Sequence, residues 1–285
     1  MGASDVVPGV SGGTIAFIFG IYEELINAIR SFDLKGLKLL LSLKIQLFLE
    51  RISWQFLLSV GLGILAAIFS LSRVLGWLLQ NRPVFIWAFF LGLILASIVS
   101  IGRRVKTWQP STWACLTGGI TGAYFLAGLV PVCTPDAPWF LFLCGAIAIC
   151  AMILPGISGS YILVLFGKYQ YVLEAVNHRN FFVLALVAAG AGAGIIMFSR
   201  LLGWLLKNHH DLMVAMLAGL MLGSLRKVWP WKETIEGFVD IHGKSIPSIQ
   251  ANILPAQWNG EVYAAVSLIA AGFLLMFIVD RISSR

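Results

Sequence analysis

The segment Val7-Pro-Gly-Val-Ser-Gly-Gly-Thr14 returns nearly unchanged as Leu154-Pro-Gly-Ile-Ser-Gly-Ser-Tyr161. Downstream, Phe19-Gly20 and Tyr22 are answered by Phe166-Gly167 and Tyr169 at the same spacing, 147 residues, that separates Pro8 from Pro155. The chain thus holds two copies of one structural unit, each with a Pro/Gly/Ser break inside an apolar stretch. Few folds accommodate that pattern. In a membrane protein it points to a substrate site built from paired broken helices.

A second set of matches runs at another spacing. Ser72-Arg73-Val-Leu-Gly76-Trp77 corresponds to Ser199-Arg200-Leu-Leu-Gly203-Trp204, and Gly92–Ser97 to Gly219–Ser224, all 127 residues apart. The first copy therefore carries extra residues between its motif and its arginine. They coincide with 34–52, where Lys35, Lys38, Ser42, Gln46 and Glu50 share one helical face. This spacing predicts an amphipathic helix lying on a membrane surface.

Hydrophobic residues make up 59% of the chain and charged residues 12%, with mean hydropathy +0.90, far from the balance of soluble domains. Apolar runs predict six spans, at 54–71, 84–101, 113–130, 181–199, 212–225 and 262–279, the fifth short. No basic n-region or small-residue cleavage site marks a signal peptide. The net charge of +7 fits the Lys and Arg that gather in cytoplasmic loops, and no basic segment outside the apolar framework suits nucleic acid. Cys115, Cys133, Cys144 and Cys150 show no ligand spacing, and His178, His209, His210 and His242 are scattered at loops and helix ends. Neither a metal nor a cofactor is expected.

The stretches flanking the second motif, 139–154 and 161–176, are each too short to cross a bilayer. They read as arms of a re-entrant hairpin. Three spans between two such hairpins put them on opposite faces, which makes the repeats inverted. The expected fold is an all-α polytopic membrane protein. Its first repeat is 1–131 and its second 132–285, with two opposed re-entrant helical hairpins, about six full spans and both termini cytoplasmic. Arg30, Lys35, Lys38, Lys44, Arg51, Arg103, Arg104, Lys106, Arg200, Lys207, Arg281 and Arg285 then lie inside. The first copy has only seven residues before Pro8. Either an arm preceding the first motif is missing from the sequence or the first hairpin is a single half-helix, and the missing arm is the expectation.

Helices that restart after a break expose amides without intrahelical partners. Ser11, Gly12, Gly13 and Thr14 begin one such helix, and Ser158, Gly159, Ser160 and Tyr161 the other. Two such starts facing each other make an anion site, with phosphate as the natural guest. The simpler alternative, a kink for packing, is weakened by its recurrence. A helix dipole contributes about 1 kcal/mol, against on the order of 20 kcal/mol for moving an anion into hydrocarbon. Fixed cations and a wet groove are therefore needed. Arg73 and Arg200 occupy equivalent places and are the candidates, with snorkelling to the interface as the alternative. Asp5 and Glu23 are candidates for coupling a proton or sodium ion, with interfacial solvation as the other reading.

The string Ala3-Ser-Asp5-Val-Val-Pro8-Gly-Val-Ser11-Gly-Gly-Thr14, with Pro155-Gly-Ile-Ser158-Gly-Ser160 and Phe198-Ser-Arg200, closely resembles the bacterial polyprenyl-phosphate transporter family, over essentially the whole chain. The resemblance implies a flippase, not an enzyme, that returns undecaprenyl phosphate from the outer to the inner leaflet of the plasma membrane for carrier-lipid recycling. For that substrate, the expected mechanism is a phosphate head held between the two broken-helix tips, with alternating access by rocking of the repeats. The partners expected are the polyprenyl-phosphate lipid, the bilayer, a coupling H+ or Na+ and a second copy in a homo-oligomer, with no nucleic acid. Secondary transport of a small soluble anion through the same site is the competing reading.

Overall fold

The computed structural model describes residues 1–2, 11–31, 42, 46–47, 53–132, 134–239, 245–255 and 257–283. Asp5 and nearly all of the predicted surface helix at 34–52 lie outside them. The described elements run α1 Gly12–Ile18, α2 Tyr22–Arg30, α3 Trp54–Asn81, α4 Pro83–Gly102, α5 Pro110–Ala127, α6 Pro138–Ile153, α7 Gly159–Leu165, α8 Tyr169–Asn177, α9 Phe181–Asn208, α10 His210–Val228, β1 Lys232–Val239, β2 Ser245–Asn252 and α11 Gly260–Ser283. Helix ends repeat in the two registers read from the sequence. α1 and α2 match α7 and α8 residue for residue at a spacing of 147, and α3 matches α9 at 127. Proline opens α4, α5 and α6, where its missing N–H costs nothing.

Among the described residues four helices, α3, α4, α9 and α11, are long and apolar enough to cross a membrane. The chain is thus built as a multi-pass membrane protein. The other two expected spans are α5 and α10, and their weaker apolarity has a physical reason. They face each other rather than lipid. A Cβ on Gly119 would lie 2.5 Å from the Met216 carbonyl oxygen, and one on Gly219 or Gly223 would collide with the carbonyl of Leu116 or Ile120. Glycines let the two backbones touch. Val214, Ala215, Leu217, Ala218 and Met221 of α10 are fully enclosed. α11 leans on α4 in the same manner, through Gly92 against Ile269 and Gly272 against Phe89. The third long helix of each copy thus packs on the second of the other.

Two features depart from the expected outline. The arm after the second motif is not continuous but divided into α7 and α8 at Gly167, whose φ is +65°; Gly20 does the same between α1 and α2 at φ +71°. Glycine adopts that backbone without the Cβ penalty other residues meet. The segment between α10 and α11, in a fold expected to be all-α, contains the antiparallel hairpin β1–β2 with a register shift near Glu236. The described fold is therefore not wholly helical.

The glycine turns also mark where the paired short helices sit. Gly20 lies beside the Arg104 guanidinium, just before α5, and Gly167 beside the Val132 carbonyl, just after it. The two turns are at opposite ends of α5. Val132, Thr134 and Asp136 tie down the second turn. Val132 N–H donates to Leu165 O, the Thr134 hydroxyl to Phe166 O, and buried Lys168 donates to Thr134 O while pairing with Asp136.

Candidate functional site

The site begins where α6 stops. Pro155 disfavours helical backbone at the residue before it, and Leu154 accordingly turns extended, with ψ 131°. Gly156 follows at φ +86°, where a Cβ would lie 2.7 Å from Ser224 Oγ. Gly159 then starts α7, and its own missing Cβ leaves room for the Ala148 carbonyl of α6. Helix, break and helix thus fold into a tight hairpin.

The first motif docks directly on this break. Ser11 Oγ accepts from Gly13 N at 3.0 Å, capping α1, and donates to Met152 O at 2.9 Å. Gly156 N donates to Thr14 Oγ1 at 2.9 Å. Gly13 fits against the Ile153 carbonyl where no side chain would. Ser11 and Thr14 are each 1% exposed. Their hydroxyls are occupied in joining the two copies, and Gly12 is buried with them.

The second motif faces open space. A cavity of about 250 Å³ is bounded by Ser158, Ser160, Tyr161, Ser224 and Lys227, with Ala123 and Leu126 of α5 on the far wall. Ser158 Oγ and Ser160 Oγ lie 2.7 Å apart. Lys227 Nζ stands 4.4 Å from the centre of the Tyr161 ring, and the Tyr161 hydroxyl donates to Leu126 O at 2.9 Å. Among the described residues no carboxylate pairs with Lys227. Arg226 lies 4.6 Å over Tyr124, and Lys232 donates to Lys227 O while facing Trp87 at 4.9 Å. Burial, and secondarily the charge of Lys227, draw the Lys232 pKa down to about 8. Of these three cations, Lys227 lines the small, partly apolar chamber. Val164 and Tyr169, also on its wall, are about two-fifths exposed and lead outward onto apolar surface.

The predicted arginines lie elsewhere. Arg200 is exposed on α9 and does not line this cavity. Arg73 occupies the equivalent turn of α3, its side chain outside the described part. Glu23 is at the opposite end of α5, 3.4 Å from His210 Nε2, and His210 Nδ1 is 3.4 Å from Asp211 Oδ1. Asp211 Oδ2 accepts from both the hydroxyl and the N–H of Thr107 at 2.9 Å. Sequence reasoning missed Lys227 and Ser224 as site residues, and placed Tyr161 only at the start of the second helix. The signal was present as a difference between the copies: Arg226-Lys227 stands where the first copy has Val99-Ser100.

Comparison with known proteins supplies the remaining evidence. Residues 1–246 match the profile of a family described as undecaprenyl phosphate translocase-like. A polyprenyl-phosphate transporter of Vibrio cholerae serotype O1 is 42% identical over 259 residues, covering 91% of this chain and 84% of that protein. A polyprenyl-phosphate transporter of Staphylococcus aureus is 31% identical over 250 residues, covering 81% and 83%. Both relatives are named as transporters, not enzymes. No solved structure matches the chain.

Proposed function

The chain belongs to the undecaprenyl phosphate translocase-like family, and from that premise we propose that it is a flippase returning undecaprenyl phosphate from the outer to the inner leaflet of the bacterial plasma membrane. The observation that carries this reading is the Lys227 cavity. Lys227 and the Ser158–Ser160 hydroxyl pair suit a phosphate monoester, while Val164 and Tyr169 open the same chamber toward apolar surface. A polyprenyl tail is at home in lipid, so only the head needs a polar path. One charged hydrogen bond contributes about 1.5–3 kcal/mol, far below the cost of a bare anion in hydrocarbon, so the head travels wet and is handed between cations.

Residues 1–131 and 132–285 act as inverted repeats whose paired short helices re-enter from opposite faces. With both termini cytoplasmic, Lys227 faces the outer leaflet, where the used lipid arrives. The contacts Ser11–Met152 and Thr14–Gly156 close the path beyond it. Rocking of the repeats parts these contacts, frees Ser11, Gly12, Gly13 and Thr14 for the phosphate and brings the head toward Arg73 and Arg200. Glu23 and Asp211 flank His210, which fits a proton as the coupling ion. The test is Lys227→Gln, with a Ser158→Ala/Ser160→Ala double variant, scored by undecaprenyl phosphate on the cell surface. Accumulation is expected. Normal clearance by well-expressed variants removes this cavity from the mechanism.

A further inference from the structure

The Lys227 cavity has a counterpart at the other end of the bundle. The glycine crossings set the correspondence. Gly219 of α10 and Gly92 of α4 meet the carbonyls of Leu116 and Ile269, while Gly119 of α5 and Gly272 of α11 meet those of Met216 and Phe89. Each pair on α4 and α10 is separated by 127 residues, and each on α5 and α11 by 153. Carried through the same two spacings, Lys227 becomes Ser100, Ala123 becomes Met276, Tyr124 becomes Phe277 and Ala127 becomes Asp280.

A second cavity occupies that position, lined by Ser100, Arg103, Met276, Phe277 and Asp280 among others, and it holds only about 10 Å³. The cation–aromatic contact recurs as well, with Arg103 5.8 Å over Phe277 where Arg226 lies over Tyr124. Named residues account for the small volume. Buried Met276 stands where Ala123 leaves space, and Arg104 pairs with Asp280 at 3.8 Å. The Gly20 turn of the first hairpin abuts this same Arg104. Motion of that hairpin therefore bears on the pair.

We propose that the α4–α11 cavity is a second phosphate-monoester site, in which the Arg103 guanidinium receives the anion that leaves Lys227. This rests on the transport reading of the Lys227 cavity. Two guanidiniums against one carboxylate leave the site net positive. Arg103 suits bidentate contact with phosphate oxygens, and the Arg104–Asp280 pair with Met276 keeps it shut while the first cavity is open.

The test uses the full chain in proteoliposomes with a fluorescent short-chain polyprenyl phosphate, and separately with inorganic phosphate. Arg103→Gln is expected to slow lipid movement about tenfold or more while leaving lipid binding in detergent within about twofold. Lys227→Gln is expected to lose that binding. A variant that merely unfolds is excluded by a gain: Asp280→Asn in the Lys227→Gln background should bind inorganic phosphate about three- to tenfold more tightly than Lys227→Gln alone. Wild-type lipid movement by Arg103→Gln, or no gain from Asp280→Asn, overturns the second site alone. Uptake of inorganic phosphate slowed by Arg103→Gln, without lipid movement, upholds the site and assigns it to a soluble anion. If the wild type moves neither, the transport reading falls and this site with it.

Discussion

Replacing Gly13 by alanine tests the docking of the two copies at its tightest point. The new Cβ would intrude on the Ile153 carbonyl oxygen and lie 3.0 Å from its carbon and 3.2 Å from Met152 O. All three are backbone atoms at the end of α6, so no side chain can swing aside. Restoring van der Waals separation means lifting α1 by roughly 1 Å. That movement stretches Ser11 Oγ to Met152 O and Gly156 N to Thr14 Oγ1, both 2.9 Å, beyond hydrogen-bond range. Two buried bonds are then lost, at about 1–3 kcal/mol each where a partner is left unsatisfied. Part is offset by alanine's better helix propensity, about 1 kcal/mol. A net loss of about 2–4 kcal/mol should lower the thermal unfolding midpoint in detergent by on the order of 5–10 °C. A wild-type midpoint for Gly13→Ala would refute the close approach of the first motif to the α6–α7 break.

The same geometry separates two glycines that the repeat makes equivalent. Gly190→Ala meets the Phe142 carbonyl and should cost about 1–3 kcal/mol, whereas Gly63→Ala, with nothing within 4 Å, should be neutral or stabilising by up to about 1 kcal/mol in a thermal melt. Lys232 has a folded pKa of about 8 against an ordinary 10.5. The folded chain sheds this proton first, so stability rises as pH climbs from about 8 to 10.5 and is lost again as pH falls through 8. Melting midpoints of the wild type should gain on those of Lys232→Met across that window, and parallel curves would contradict the shift. Lys168→Met leaves Thr134 O without its donor. It should loosen the hold of Thr134 and Asp136 on the Gly167 turn, read as faster cleavage near that turn by added protease, with about 1–2 kcal/mol lost.

Much of the fold was legible because duplication repeats helix ends as well as letters. Phe19-Gly20 and Phe166-Gly167 recurred at one spacing, although the second arm was read as continuous across Gly167, and the Arg73 and Arg200 strings aligned α3 with α9 to the residue. The crossing of α5 on α10 was not legible, since glycine spacing shows that a helix has a close neighbour but not which one. α10 read as a short span for the same reason: a helix wrapped by protein need not be apolar enough for lipid. The candidate site was half legible. The Pro155-Gly156 break and Ser158 stood out by recurrence, whereas Ser160 stands where the first copy has Gly13 and Lys227 has no charged equivalent there. Recurrence marks what the fold requires, and the asymmetry at Arg226-Lys227 marks where the two ends differ in chemistry. The β1–β2 hairpin was missed because neither strand shows a clean apolar alternation: β1 carries Lys232, Glu233 and Glu236, and β2 is interrupted by Pro247.

The central claim, that this chain carries a polyprenyl phosphate head past Lys227, is tested most directly by purified protein in liposomes. Labelled polyprenyl phosphate is supplied to one leaflet, with and without a pH gradient, and its appearance in the other is timed. The wild type should move it at least about tenfold faster than Lys227→Gln, and faster with the gradient than without. Equal rates for the two proteins, or no movement above protein-free liposomes under any gradient, would contradict the account.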